Sequence, residues 1–228
     1  MRRTAGGLLI GAVATGAVLV GGTGAGKSTI VKLITGFYAP QRGRVLLDGQ
    51  DLRDLTPQSY RFFMGLVPQE PFLFRGTVAE NIAFPAAGAT DEDIRRAADT
   101  VGARELLERL PEGFDTDVGL GGARLSAGQR QLVALARAVL PNPRVLILDE
   151  ATSSIDAATE ARVQAGLDRA RRGRTTLAVA HRLSTIRAAD RIVVLDKGRV
   201  VEVGSHDELV ASGGHYAGLS VAWQAEGR

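Results

Sequence analysis

The stretch that most restricts what this chain can fold into is Gly21-Gly22-Thr23-Gly24-Ala25-Gly26-Lys27-Ser28-Thr29. It fits the spacing G-x-x-x-x-G-K-[ST]. The apolar run Ala17-Val18-Leu19-Val20 leads into it, and Ile30, Val31, Leu33, Ile34 and Phe37 follow at helical spacing. Strand, glycine turn and helix in that order form a cradle for an anion. Glycines let backbone N–H groups curl around a charged group without side-chain clash. The helix that follows points its positive end at the same place. Lys27 is placed to reach the β- and γ-phosphates of a nucleotide, and the Ser28 hydroxyl to ligate Mg²⁺.

A second element answers the first. The continuous apolar run 145–148 reads as a strand buried on both faces. Asp149 ends it, at the strand end where open α/β sheets bind ligands, and is expected to hold Mg²⁺ through water. Glu150 follows, positioned to orient or deprotonate an attacking water. Further strands are expected at 45–47, 175–180 and 191–195. A turn at Asp196-Lys197-Gly198 joins the last of these to Val200-Val201 as a hairpin. Between Gly76 and Leu140 the pattern is helical. Short helices are expected at 77–82 and 91–98, the second started by Thr90 or Asp91, and a longer one at Ala127–Val139. Asp156 is expected to cap a helix running to about Arg172. The fold class is therefore α/β, with a mostly parallel sheet interrupted by an inserted helical subdomain.

Composition narrows the rest. The chain has 228 residues, 45% of them hydrophobic and 23% charged, which excludes intrinsic disorder and collagen. Without cysteine there is no disulfide scaffold, zinc ribbon or thiol nucleophile. A net charge of +3 does not call for nucleic acid, and the basic stretch 169–174 reads as a solvated helix end. Of 28 basic residues only Lys27, Lys32 and Lys197 are lysine. Residues 5–20 follow Arg2-Arg3 and carry no charge, yet they are too short and too rich in Gly and Ala for a spanning helix and run into the glycine loop.

Further residues give the chain a close resemblance to the nucleotide-binding domain of ATP-binding-cassette (ABC) transporters. They are Leu125-Ser126-Ala127-Gly128-Gln129, Gln69, the Asp149-Glu150 pair, Ser154-Ile155-Asp156 and His181, in the family's order after the glycine loop. The resemblance runs over 18–216. The stretches 67–74, 180–186 and 204–209 look like the exporter branch. It implies one P-loop NTPase (RecA-like) domain over 1–228, with its core at 1–75 and 141–228 and a helical signature subdomain at 76–140. It also implies a head-to-tail dimer that sandwiches ATP between one copy's glycine loop and the other copy's signature. The signature has its own logic: Ser126 offers a hydroxyl and Gly128 an unobstructed N–H at a helix start. By resemblance, Gln69 contacts Mg²⁺ and water and relays occupancy to a transmembrane partner. His181 contacts the γ-phosphate and aligns Glu150 and water, and Asp156 organises the dimer seam. The implied place is the cytoplasmic face of a membrane, held there by a transmembrane partner or as a fragment of a fused exporter.

The chain also departs from the family's pattern. Residues 1–20 contain no aromatic on which adenine could stack, and the first antiparallel strands are read as truncated. Ala127 replaces a glycine, Leu120 an acidic residue and Ile155 a leucine. One alternative is a nucleotide-binding regulatory module with little turnover. Another is a DNA-repair or chromosome-structure ATPase, which needs a coiled coil that 76–140 is too short to supply.

Overall fold

The computed structural model describes residues 16–149, 157–180 and 183–226. Glu150, Ser154, Ile155, Asp156 and His181 lie outside the described residues. Six strands form one sheet in the order β4-β5-β6-β1-β7-β8. They are β4 (Met64–Val67), β5 (Val145–Asp149), β6 (Thr175–Val179), β1 (Gly16–Val20), β7 (Arg191–Asp196) and β8 (Arg199–Gly204). The first five are parallel, and β8 returns antiparallel across a two-residue hairpin. β2 (Leu46–Leu47) and β3 (Gln50–Asp51) make a separate small hairpin.

The sheet is sandwiched because its strands are apolar on both faces. Leu19, Ile147, Leu177 and Val193 point to one side, with Val31 of helix α1 (Lys27–Ile34) and a partly buried Ile34. Val18, Val20, Leu146, Leu148 and Val194 point to the other, into a larger cluster with Leu132, Val133 and Leu135 of α6 (Ala127–Val139). Burial of 145–148 on both faces was the expectation, and Leu146, Ile147 and Leu148 are indeed enclosed.

Between β4 and β5 the described elements are helical. After α2 (Pro57–Arg61) and β4 come α3 (Val78–Ala83), α4 (Asp91–Thr100), α5 (Arg104–Glu108) and α6. Thr77, Thr90 and Ser126 each start a helix with a reciprocal capping box. α7 (Ala157–Arg171), α8 (Leu183–Arg187), α9 (His206–Ala211) and α10 (His215–Glu226) complete the described chain. Among the described residues no helix is long and apolar enough to cross a membrane.

Two expectations are corrected. Phe37 is not on the helix after the glycine loop: α1 ends at Ile34, and Gly36 at φ +68° turns the chain away. The Phe37 N–H then donates to Lys32 O and the Gly36 N–H to Leu33 O, a Schellman ending. Phe37 is left exposed with Arg61 over its ring. The edge strand β4 was not anticipated. Its four residues include Gly65, where a Cβ would sit 2.6 Å from the Ala138 carbonyl oxygen. That glycine, unlike most in strands, is there because α6 crosses within backbone contact.

Candidate nucleotide site

The parallel strands bring their carboxyl ends to one edge, and the glycine loop, Asp149 and Gln69 lie there. The loop of residues 21–26 leaves β1. Asp149 ends β5, and exposed Gln69 lies two residues beyond β4, which pairs with β5 in the register Val67↔Leu148. Strand pairing therefore puts Gln69 and Asp149 at the same edge of the sheet, although the two are 80 residues apart in the chain.

The loop has the shape its glycines predict. Gly21, Gly24 and Gly26 have φ of +148°, +77° and +103°. At Gly21 no other residue fits, since a Cβ would meet Leu195 O at 2.3 Å. At Gly22 and Gly24 a Cβ would meet nothing within 4 Å, so that side of the loop is open to a ligand. The Ala25 N–H donates to Gly22 O and the Ile30 N–H to Gly26 O. Thr23, Ser28 and Thr29 are exposed, with the Ser28 hydroxyl at the first turn of α1.

Lys27 folds back into this cradle. Its Nζ donates to Gly21 O at 2.7 Å and Gly22 O at 3.0 Å. Burial lowers its pKa below 10.5, and the charge of Asp149 opposes that shift. A cation held by carbonyl dipoles in a ring of glycine backbone is what a polyphosphate would find attractive. Ser28, Asp149 and Gln69 supply hydroxyl, carboxylate and amide oxygens, the donor set a hard divalent cation such as Mg²⁺ takes. Among the described residues no three His, Asp or Glu side chains converge, and this donor set would not need them to.

The signature starts α6. Ser126 Oγ accepts from the Gln129 N–H at 3.2 Å, and Gln129 Oε1 accepts from the Ser126 N–H at 2.8 Å. Leu125 is buried beneath and Gly128 lies in the first turn. Ala127 takes an ordinary helical φ, so its methyl adds no backbone strain. Gly128 is buried and the Gln129 N–H is taken by Ser126 Oγ, and the 13-residue helix has the positive end of its dipole here.

Sequence reasoning missed an aromatic face beside this helix. Phe72, Phe74 and Phe84 are all exposed and form a chain of rings, with Phe74 stacked on Phe84 at 4.2 Å. Arg137 lies over Phe74 and Phe84 at 5.5 and 5.9 Å from the centroids. Leu120, 64% exposed, is close by: a Cβ on neighbouring Gly121 would come within 3.9 Å of Phe72. The only sequence signal was three phenylalanines within 13 residues, which resembles core. A groove of about 500 Å³ lined by Leu55, Tyr60, Phe63 and Arg144 lies instead at the amino ends of β5 and β6, away from these residues. The His206 Nδ1 lies 2.7 Å from the hydroxyl of buried Tyr216, a packing contact away from the carboxyl edge of the sheet.

Comparison with known proteins agrees with this geometry. The sequence profile of the ABC transporter family matches residues 14–153. The ATP-dependent lipid A-core flippase of Pseudomonas aeruginosa is 51% identical over 202 residues, covering 88% of this chain and 34% of the flippase. The Beta-(1→2)glucan export ATP-binding/permease protein NdvA of Agrobacterium vitis is 48% identical over 201 residues, with the same two coverages. A solved bacterial Atm1-family ABC exporter with ATP bound superposes with a TM-score of 0.85 at 42% identity, covering 92% of this chain and 36% of the exporter. The chain thus spans about a third of the length of these relatives. It belongs to the ABC transporter family.

Proposed function

We propose that this chain powers export across a membrane by closing around Mg·ATP as a head-to-tail dimer and reopening after hydrolysis. The observation that carries the reading is Lys27 seated inside a glycine cradle at the carboxyl edge of the sheet. The flippase and glucan-export names of the relatives support it, and they do not favour a turnover-free regulatory module.

On this reading the backbone N–H groups of residues 22–27 receive the β-phosphate. Lys27 leaves its two carbonyl partners and takes the charge that develops on the γ-phosphoryl group. Ser126 and the N–H of Gly128 from a second copy cover the same phosphate. Glu150 and His181 align and deprotonate water, and Asp156 joins the seam; these three roles rest on the family resemblance. Mg²⁺, held by Ser28, Asp149 and Gln69, would shield the phosphate oxygens. Residues 76–140 act as the unit that presents the signature. The partner would be a transmembrane domain on its cytoplasmic side, and the exposed Phe72, Phe74, Phe84 and Leu120 are the face we assign to it. Exposed apolar patches mark interaction sites, and Phe72 and Phe74 of this one follow Gln69 within five residues.

Glu150→Gln tests the reading. The variant is expected to bind ATP, stall phosphate release and accumulate an ATP-dependent dimer on size-exclusion chromatography. Wild-type turnover in that variant would overturn the assignment of the base.

A further inference from the structure

In a chain that uses arginine for 25 of its 28 basic residues, two of the three lysines meet at one loop. Lys27 lies within it. Lys197 stands on the turn that backs it. Asp196 pairs with Arg199 across the β7–β8 ladder, and the two residues between them, Lys197 and Gly198, have φ of +47° and +74°. That is the pattern of a two-residue type I′ turn, whose first position favours Asn, Asp or Gly. The turn demands positive φ there, and a lysine in that region carries backbone strain that asparagine or glycine would reduce.

The turn is fastened to the phosphate loop. The Gly198 N–H donates to Ala25 O at 3.0 Å. A Cβ built on Gly26 would lie 3.5 Å from Gly198 Cα, and Leu195 O closes against Gly21. Lys197 is exposed and forms no ion pair with a described residue. Its flexible stem carries a compact point charge with three donors, a form in which lysine binds phosphate.

We infer that Lys197 is a second nucleotide-binding cation, serving the phosphates from the β7–β8 side of the loop while Lys27 serves them from within. The inference rests on reading residues 21–29 as the nucleotide loop. It separates charge from turn geometry, because Lys197→Asn improves the turn while deleting the charge.

The test uses titration calorimetry of the full chain with ATP and with ADP, alongside thermal melts. Lys197→Asn is expected to melt at or above the wild-type temperature yet bind both nucleotides about two- to five-fold more weakly, as one nearby solvated charge predicts. The deficit should shrink as salt rises from about 0.05 to about 0.5 M. Lys197→Arg should restore binding. If Lys27→Ala loses binding while Lys197→Asn matches wild type at low salt, the inference is overturned and the loop reading stands. If Lys27→Ala binds as wild type, the loop reading itself falls. If Lys197→Asn binds weakly and melts early, the loss belongs to the turn and the inference is again overturned.

Discussion

Arg137 is the residue whose removal should tell most about how α6 is held to α3 and to the loop around Phe72. It sits in the last turn of α6, and burial lowers its pKa from the usual arginine value. Nε donates to Asn81 O at 2.8 Å, Nη2 to Asn81 Oδ1 at 2.7 Å and Nη1 to Phe72 O at 2.9 Å. Asn81 is itself buried; its Oδ1 accepts from the Phe74 N–H, and its Nδ2 donates to Phe74 O and Thr77 O. Arg137→Ala cuts this network. The two partly buried bonds from a charged donor contribute about 1.5–3 kcal/mol each, and the solvent-exposed one to Phe72 far less. The ring contacts add about 0.5–1 kcal/mol at this degree of exposure. Water entering the gap recovers part of the loss, leaving about 3 kcal/mol. For a chain of this length that corresponds to about 6–12 °C in melting temperature. Calorimetric melts of wild type, Arg137→Ala and Arg137→Lys would measure it. Lysine keeps the charge but cannot serve three acceptors in a fork, so it should recover less than half. A loss below about 1 kcal/mol for alanine, or full recovery by lysine, would refute the reasoning.

Two other perturbations probe different physics. Gly21→Ala places a methyl against Leu195 O at a φ of +148°, a backbone region costing about 1–3 kcal/mol for other residues; it should lower the melting temperature and abolish ATP binding by calorimetry, and retained affinity would refute the cradle geometry. Asp93 is held at about 2, against an ordinary 3.8, by the Thr90 N–H, the Thr90 hydroxyl and Arg96. Its folded-state value is depressed, so its contribution is complete above about pH 4 and drains away as pH falls toward 2. Asp93→Asn should therefore flatten the acid limb of melting temperature against pH in that window, and unchanged limbs would contradict the assignment.

What could be read from the chain alone was whatever is encoded over a few neighbouring residues. The glycine loop spans nine residues and lies between strand and helix where spacing put it, and a helix starts directly after Ser126. Helix α6 keeps its bounds for the same reason, since its cap, apolar stripe and the Pro141 that follows are all local. What was hidden depends on distant partners. β4 carries a glycine and only four residues, and it is a strand because Met64–Val67 lie beside Val145–Leu148. Arg137 finds Asn81 from 56 positions away. Glu202 accepts from the His215 and Tyr216 N–H groups and so caps α10 across a distance no helix-start rule inspects. Phe37 looked like a core residue by period until Gly36 ended the helix one turn early. The candidate site shows the same division. Lys27 could be assigned from its own loop, but Gln69 and Asp149 share an edge only because β4 pairs with β5. Lys197 backs the loop only because the β7–β8 turn folds under it. A substitution outside the loop that alters nucleotide binding therefore tests the sheet topology as much as the chemistry.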